Sequence, residues 1–186
     1  MKRLGILIRL DFIQIVRNKI LFVASLITAL YILILQWLPR EALSQVLPML
    51  IFSDPVMFGF FFTGVMVLFE KAANTLPAIR VTPVRAGEYL LSKGLSLSLI
   101  ALIMSLALSL SCVKPKPEQL YLFPAVIFSS LLFVFAGFIG AFRVKTFNQY
   151  FLVIPLFMIP ACLPLLNYFG LTNMGLWYVI PTQASL

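Results

Sequence analysis

The chain alternates long apolar stretches with short polar ones, and the lengths of the apolar stretches decide the architecture. Ile20 to Leu38 is apolar over nineteen residues, about 28 Å as a helix, close to the hydrocarbon thickness of a bilayer. Four further stretches read as spans: Pro55 to Phe69, Tyr89 to Cys112, Leu120 to Phe142 and Phe147 to Leu166. The pattern predicts an all-α polytopic membrane protein, since a spanning chain must satisfy its backbone within each segment. Five transmembrane helices, an N-terminal interfacial helix and a helical hairpin between spans two and three are expected, forming one transmembrane domain over residues 1–186.

The only long polar segment between two strongly apolar ones runs from Glu70 to Lys93. In it Glu70, Lys71, Arg80, Arg85, Glu88 and Lys93 alternate with Leu76, Ile79, Val81, Val84 and Leu90, which suits short amphipathic helices rather than a disordered tether. Thr82-Pro83 interrupts it, because proline excludes the helical conformation from the residue before it and supplies no backbone N–H. One helix is expected to stop near Val81 and another to start after the turn, which makes residues 70–88 a bent hairpin.

Punctuation elsewhere refines the spans. Between Pro39 and Ser53 the pattern allows a short helix from Glu41 to Phe52 in an outer connection. Asp54-Pro55 then reads as a helix start, with Asp54 capping free N–H groups and Pro55 in the first turn. The other reading of Asp54, an intramembrane proton or cargo site, is not required for a residue that ends a connection just before proline. Serines of the third span are expected to bond to carbonyls within or across helices, and the run Lys114 to Pro117 to form a stiff outer turn. In the fourth span Ala136-Gly137 and Gly140-Ala141 form small-xxx-small pairs that admit a close helix, from this chain or from a second copy. Pro155, Pro160 and Pro164 remove three donors from the fifth span, which is expected to bend or break. That span reads either as the wall of a cargo path or as a kinked packing helix. Residues 167–186 mix Tyr168, Phe169, Trp177 and Tyr178 with Asn167, Asn173 and two glycines, an outer interfacial composition.

Composition agrees: 62% of the 186 residues are hydrophobic and 11% charged, against about 45–50% apolar in soluble domains. The net charge of +8 does not point to nucleic acid, because the basic residues are scattered at the ends of apolar runs without a patch or an aromatic platform. Sorted by side, eleven basic residues (Lys2, Arg3, Arg9, Arg17, Lys19, Lys71, Arg80, Arg85, Lys93, Arg143, Lys145) face three (Arg40, Lys114, Lys116). The basic excess places the N-terminus and the hairpin in the cytosol and, after five spans, the C-terminus outside the cell membrane. Residues 1–19 carry five of those cations among Leu4, Leu7, Ile8, Phe12 and Ile15, as a helix along an anionic lipid surface would. Asp11 falls inside their apolar arc. The apolar run that follows exceeds the roughly 7–15 residues of a signal peptide and lacks a small-residue cleavage site, so it stays as a span.

Candidate chemistry is sparse. Cys112 and Cys162 have no partner spacing, and the chain has no histidine, so neither a disulfide nor a metal site is expected. There is no glycine-rich phosphate loop, no nucleophile elbow, no zinc-protease signature and no paired intramembrane carboxylate, which argues against an enzyme.

Glu70-Lys71, Thr75-Leu76, Val81-Thr82-Pro83-Val84, Glu88-Tyr89-Leu90-Leu91 and Lys93 resemble the cytosolic signature of the type-two ATP-binding-cassette exporter permeases. The run from Leu10 to Lys19 is similar to that family's short N-terminal helix, which packs beside the hairpin; a plain positive-inside flank is the other reading. Ala72, Asn74 and Pro77 stand where the family has an acid, a glycine and an acid. Asn74 is able to adopt the left-handed turn that the glycine would. The resemblance covers nearly the whole chain, without the family's sixth span, and is nearest to drug-export branches. It implies that two permease halves, copies or homologues, join two cytosolic ATPases that bind ATP and Mg, with no cofactor on this chain. ATPase closure would push on the hairpin, with Glu70, Lys71, Thr75, Leu76, Arg80, Thr82, Pro83, Arg85 and Glu88 as the coupling residues. Leu and Phe dominate the spans, which suits a hydrophobic drug-like or lipid-like cargo moved out of the cytosol. Two other functions are compatible with a polytopic chain: a scaffold that recruits a cytosolic partner through the hairpin, and an ion-driven secondary transporter. The latter expects inverted repeats and midplane charges, and neither is evident.

Overall fold

The computed structural model describes residues 2–76, 82, 84–112 and 122–168. Among them every regular element is helical: α1 (Lys2–Arg17), α2 (Ile20–Trp37), α3 (Arg40–Val56), a π-helical turn (Met57–Phe61), α4 (Phe62–Ala72), α5 (Ala86–Cys112), α6 (Leu122–Arg143) and α7 (Phe147–Tyr168). The all-α expectation holds. Three of these helices are long and apolar enough to cross a membrane, Ile20–Trp37, Ala86–Ser111 and Phe123–Arg143, and Phe147–Ile159 is a shorter apolar stretch.

α5 and α6 pair along the middle of the bundle. α1, α2 and α3 lie against α5, whereas the π-turn, α4 and α7 lie against α6, which α3 also touches. Buried Phe58, Phe60, Met66, Val67, Leu97, Ile100, Leu108 and Val134 fill the space between them. Apolar side chains also cover the outside, where α2 exposes Phe22, Leu26, Leu30 and Leu33 at helical spacing, the face that hydrocarbon solvates without cost.

The second expected span is built differently from the sequence reading. Asp54-Pro55 does not start a helix: α3 runs through both residues to Val56, and the π-turn and α4 continue it to Ala72. The proline costs one backbone bond, and the wider π-turn follows two residues later. That turn packs on α6 through two glycines. A Cβ on Gly59 would lie 2.7 Å from the Ser130 carbonyl, and one on Gly137 would lie 2.7 Å from the Phe60 carbonyl. The small residues of the fourth span therefore receive a helix of the same chain. Gly64 on α4 gives room to Tyr150 of α7 in the same way, and the Tyr150 hydroxyl donates to the Phe60 carbonyl at 2.8 Å.

Of the bend or break expected in the fifth span, the break does not occur. α7 is one unbroken helix through Pro155, Pro160 and Pro164. Pro155 lies on its exposed side with Leu152, Leu156 and Ile159, where a missing donor and a freed carbonyl disturb no packing inside the chain. Tyr150 is buried and Val153, Ile154 and Phe157 are half-buried against the core. The expected outer turn at Lys114 to Pro117 and residues 169–186 of the interfacial segment lie outside the described residues.

Candidate functional site

The hairpin leaves the bundle from the last turn of α4. Ala73 donates its N–H to the Phe69 carbonyl and Asn74 to the Lys71 carbonyl, and Asn74 takes a left-handed φ of 53°. Asparagine thus makes the turn for which glycine is the usual residue. The Thr75 hydroxyl closes the helix end by donating to the Glu70 carbonyl at 3.1 Å. The chain returns at α5, where Glu88 accepts the N–H of Arg85 at 3.0 Å. A carboxylate at the third helical position that reaches back to the cap residue is one half of a capping box, and its charge complements the helix N-terminus. Arg80 and Pro83 lie outside the described residues, and so does the expected helix end at Val81. Thr82 and Arg85 are exposed. Leu76 and Arg85, together with Val84, Lys71, Tyr89 and Phe142, line an open cleft of about 600 Å³.

Glu70 is buried rather than exposed to a partner, and it belongs to an ion cluster that joins three helices. The Lys93 ammonium of α5 lies 2.7 Å from Glu70 of α4 and 3.0 Å from Asp11 of α1. The remaining carboxylate oxygens accept hydroxyl protons, Glu70 from Tyr89 and Asp11 from Ser92. All four oxygens of the two acids are thus satisfied by side chains of α5. Among the described residues the cluster has one cation for two carboxylates, and the two hydroxyl donors offset the second negative charge. Burying such groups is tolerable only when every lone pair is matched, and a matched network gains from the low local dielectric.

Lys71, the next residue, turns the other way. Its Nζ donates to the carbonyls of Ala141 (2.8 Å), Phe142 (3.2 Å) and Val144 (2.8 Å), and it sits 5.9 Å from the centre of the Phe142 ring. The last carbonyls of a helix have no partner within it, so a lysine from α4 completes the end of α6. Partial desolvation lowers the pKa of this ammonium below the ordinary lysine value.

The sequence places Glu70 and Lys71 among the coupling residues of the hairpin, and the fold holds both in internal bonds. Sequence reasoning did not assign Asp11, Ser92 or Lys93 a role. A signal existed: Tyr89, Ser92, Lys93 and Ser96 recur at i, i+3, i+4 and i+7, a polar stripe along one face of an otherwise apolar helix. Asp11 sits in the apolar arc of α1 because that arc packs on the stripe. Beside the cluster, Leu7, Leu10, Ile13, Arg17 and Thr75 border a groove of about 290 Å³ between α1 and the hairpin stem, with Asp11 and Glu70 in its floor.

Comparison with known proteins supplies the family. Two proteins of Mycobacterium tuberculosis, from strains CDC 1551 / Oshkosh and H37Rv and each named a fluoroquinolones export permease protein, are 31% identical to this chain over 188 aligned positions. The alignment takes in the whole of this chain and 79% of each relative. No solved structure matches. The profile of the fluoroquinolones export permease protein family matches residues 2–186, in agreement with the drug-export branch that the hairpin residues resemble. The chain, an integral membrane protein with its hairpin stem locked into the bundle, belongs to the fluoroquinolones export permease protein family.

Proposed function

We propose that this chain is the transmembrane subunit of an ATP-driven exporter, that its hairpin and N-terminus face the cytosol, and that a separate ATPase docks on the hairpin. The observation that carries the reading is Lys93 held between Asp11 and Glu70. A loop that merely connected two spans would need no buried ion pairs at its base. Here the base of the hairpin is joined to α1 and to the central helix α5 by bonds that are costly to break, so force on the hairpin moves all three helices together. The basic excess on the hairpin side supports the orientation. The names of the relatives and the apolar, aromatic spans support a fluoroquinolone-like or other hydrophobic aromatic drug as cargo. ATP and Mg then belong to the ATPase, and a second permease completes the transporter.

Docking is expected to rest on the hairpin charges, above all Arg80 and Arg85. Each exposed ion pair contributes about 0.2–1 kcal/mol, so single reversals should be mild and a joint reversal severe. The double variant Arg80→Glu/Arg85→Glu should insert normally in the membrane but lose copurification of the ATPase and drug-stimulated ATP hydrolysis. Retention of both would reduce the hairpin to a connecting loop.

A further inference from the structure

Glu70 and Lys71 are consecutive, and their side chains leave the last turn of α4 about 100° apart, toward different halves of the bundle. Glu70 reaches Lys93 on α5, and through Lys93 it is joined to Asp11 on α1. Lys71 reaches the end of α6 and the first residue of the turn into α7 through three carbonyl bonds. That turn is itself stiff: Gln149 accepts the Lys145 N–H at 2.9 Å, and Tyr150 donates its N–H to the Thr146 carbonyl at 3.1 Å. All three ammonium protons of Lys71 are thereby directed at backbone oxygen, so this cation is not offered to an outside partner.

We infer that the Glu70-Lys71 pair divides the motion of the hairpin between the two halves of the bundle, Glu70 carrying it to α1 and α5 and Lys71 carrying it to α6 and α7. The inference rests on the transporter reading and assigns the residues that transmit its stroke. Lys71 is a positioning residue: it touches neither nucleotide nor drug and acts by keeping the α6–α7 turn attached to the hairpin stem. Charge alone does not suffice, because three carbonyls that converge on one point need donors directed at them. The same argument gives α7 its place. Among the described residues the Tyr150 bond and apolar packing on the π-turn, α4 and α6 hold α7 itself, and Lys71 holds the turn that leads into it to the element that an ATPase would move.

The test uses the full chain with its ATPase in liposomes, with spin labels at Ala73→Cys and Lys145→Cys in a background lacking Cys112 and Cys162. Both labelled positions are exposed, one on the stem and one on the turn. With Lys71 intact, the distance between the labels should be the same without nucleotide and with trapped ATP. In Lys71→Gln the distance should change with nucleotide, and drug-stimulated hydrolysis should fall roughly tenfold to a hundredfold, the effect of losing one or two charged hydrogen bonds. The ATPase should still copurify, and Lys71→Arg should restore much of the coupling. A Lys71→Gln variant that loses only thermal stability, or that keeps both the fixed distance and full stimulation, overturns the inference and leaves the transporter reading intact. An unsubstituted chain that recruits no ATPase overturns that reading, and this inference with it.

Discussion

At the scale of single residues, the buried charges among the described residues, Asp11, Glu70 and Lys93, are matched with one another. Lys93 is fully buried, and among the described residues its ammonium is the one cation paired with Asp11 and Glu70. Removing it should be far worse than removing all three charges. Lys93→Met leaves two buried carboxylates facing each other and should destabilise the protein by about 3–5 kcal/mol, whereas Asp11→Leu/Glu70→Gln/Lys93→Met should recover most of that loss. Thermal unfolding in detergent measures both, and a single variant as stable as the parent would show that the cluster holds nothing together. Half of this cluster was legible in the sequence. Glu70 stood out because it begins a polar segment, and Asp11 stood out as a misfit in an apolar arc. That the two meet is a long-range fact, set by how α1 packs on α5, and periodicity along one helix does not report it.

At the scale of elements, apolar length fixed the long helices well. The boundaries of α2, α5 and α6 fall within a few residues of the expected spans, because a helix in hydrocarbon has few alternatives. Proline was the less reliable guide. Asp54-Pro55 reads as a helix start and the three prolines of α7 as a bend or a break, yet the backbone is helical through all of them. The π-turn follows Pro55 and Pro155 lies on the exposed side of α7, and a local rule about one residue does not see either setting. Glycine was the better guide, and it makes a paired prediction. Gly137→Ala would set a Cβ 2.7 Å from the Phe60 carbonyl and 3.1 Å from Thr63, so it should force α6 from the π-turn and cost about 1–3 kcal/mol. Gly87→Ala meets nothing within 4 Å in the exposed first turn of α5, and it should be neutral or stabilising by up to about 1 kcal/mol. Unfolding of the two variants side by side checks this, and equal losses would mean that the close approach of the π-turn carries no energy.

At the scale of the whole molecule, the bundle has a fixed centre, α5 with α6, and the base of the hairpin joins its helices through ion pairs and the Lys71 bonds. That arrangement suits a machine driven from one end. The exposed apolar faces of α2 and α7 are left to lipid or to a second permease, and the drug path is expected between two such subunits rather than inside one. The central claim is that ATP hydrolysis in a partner, acting through the hairpin, moves drug across the membrane. Uptake of a fluoroquinolone into inside-out vesicles that contain the chain and its ATPase tests it most directly. The account predicts uptake that requires hydrolysable ATP, survives collapse of the proton and sodium gradients, and disappears in Arg80→Glu/Arg85→Glu. Uptake that follows an ion gradient without ATP, or that is undiminished in the double variant, would contradict it.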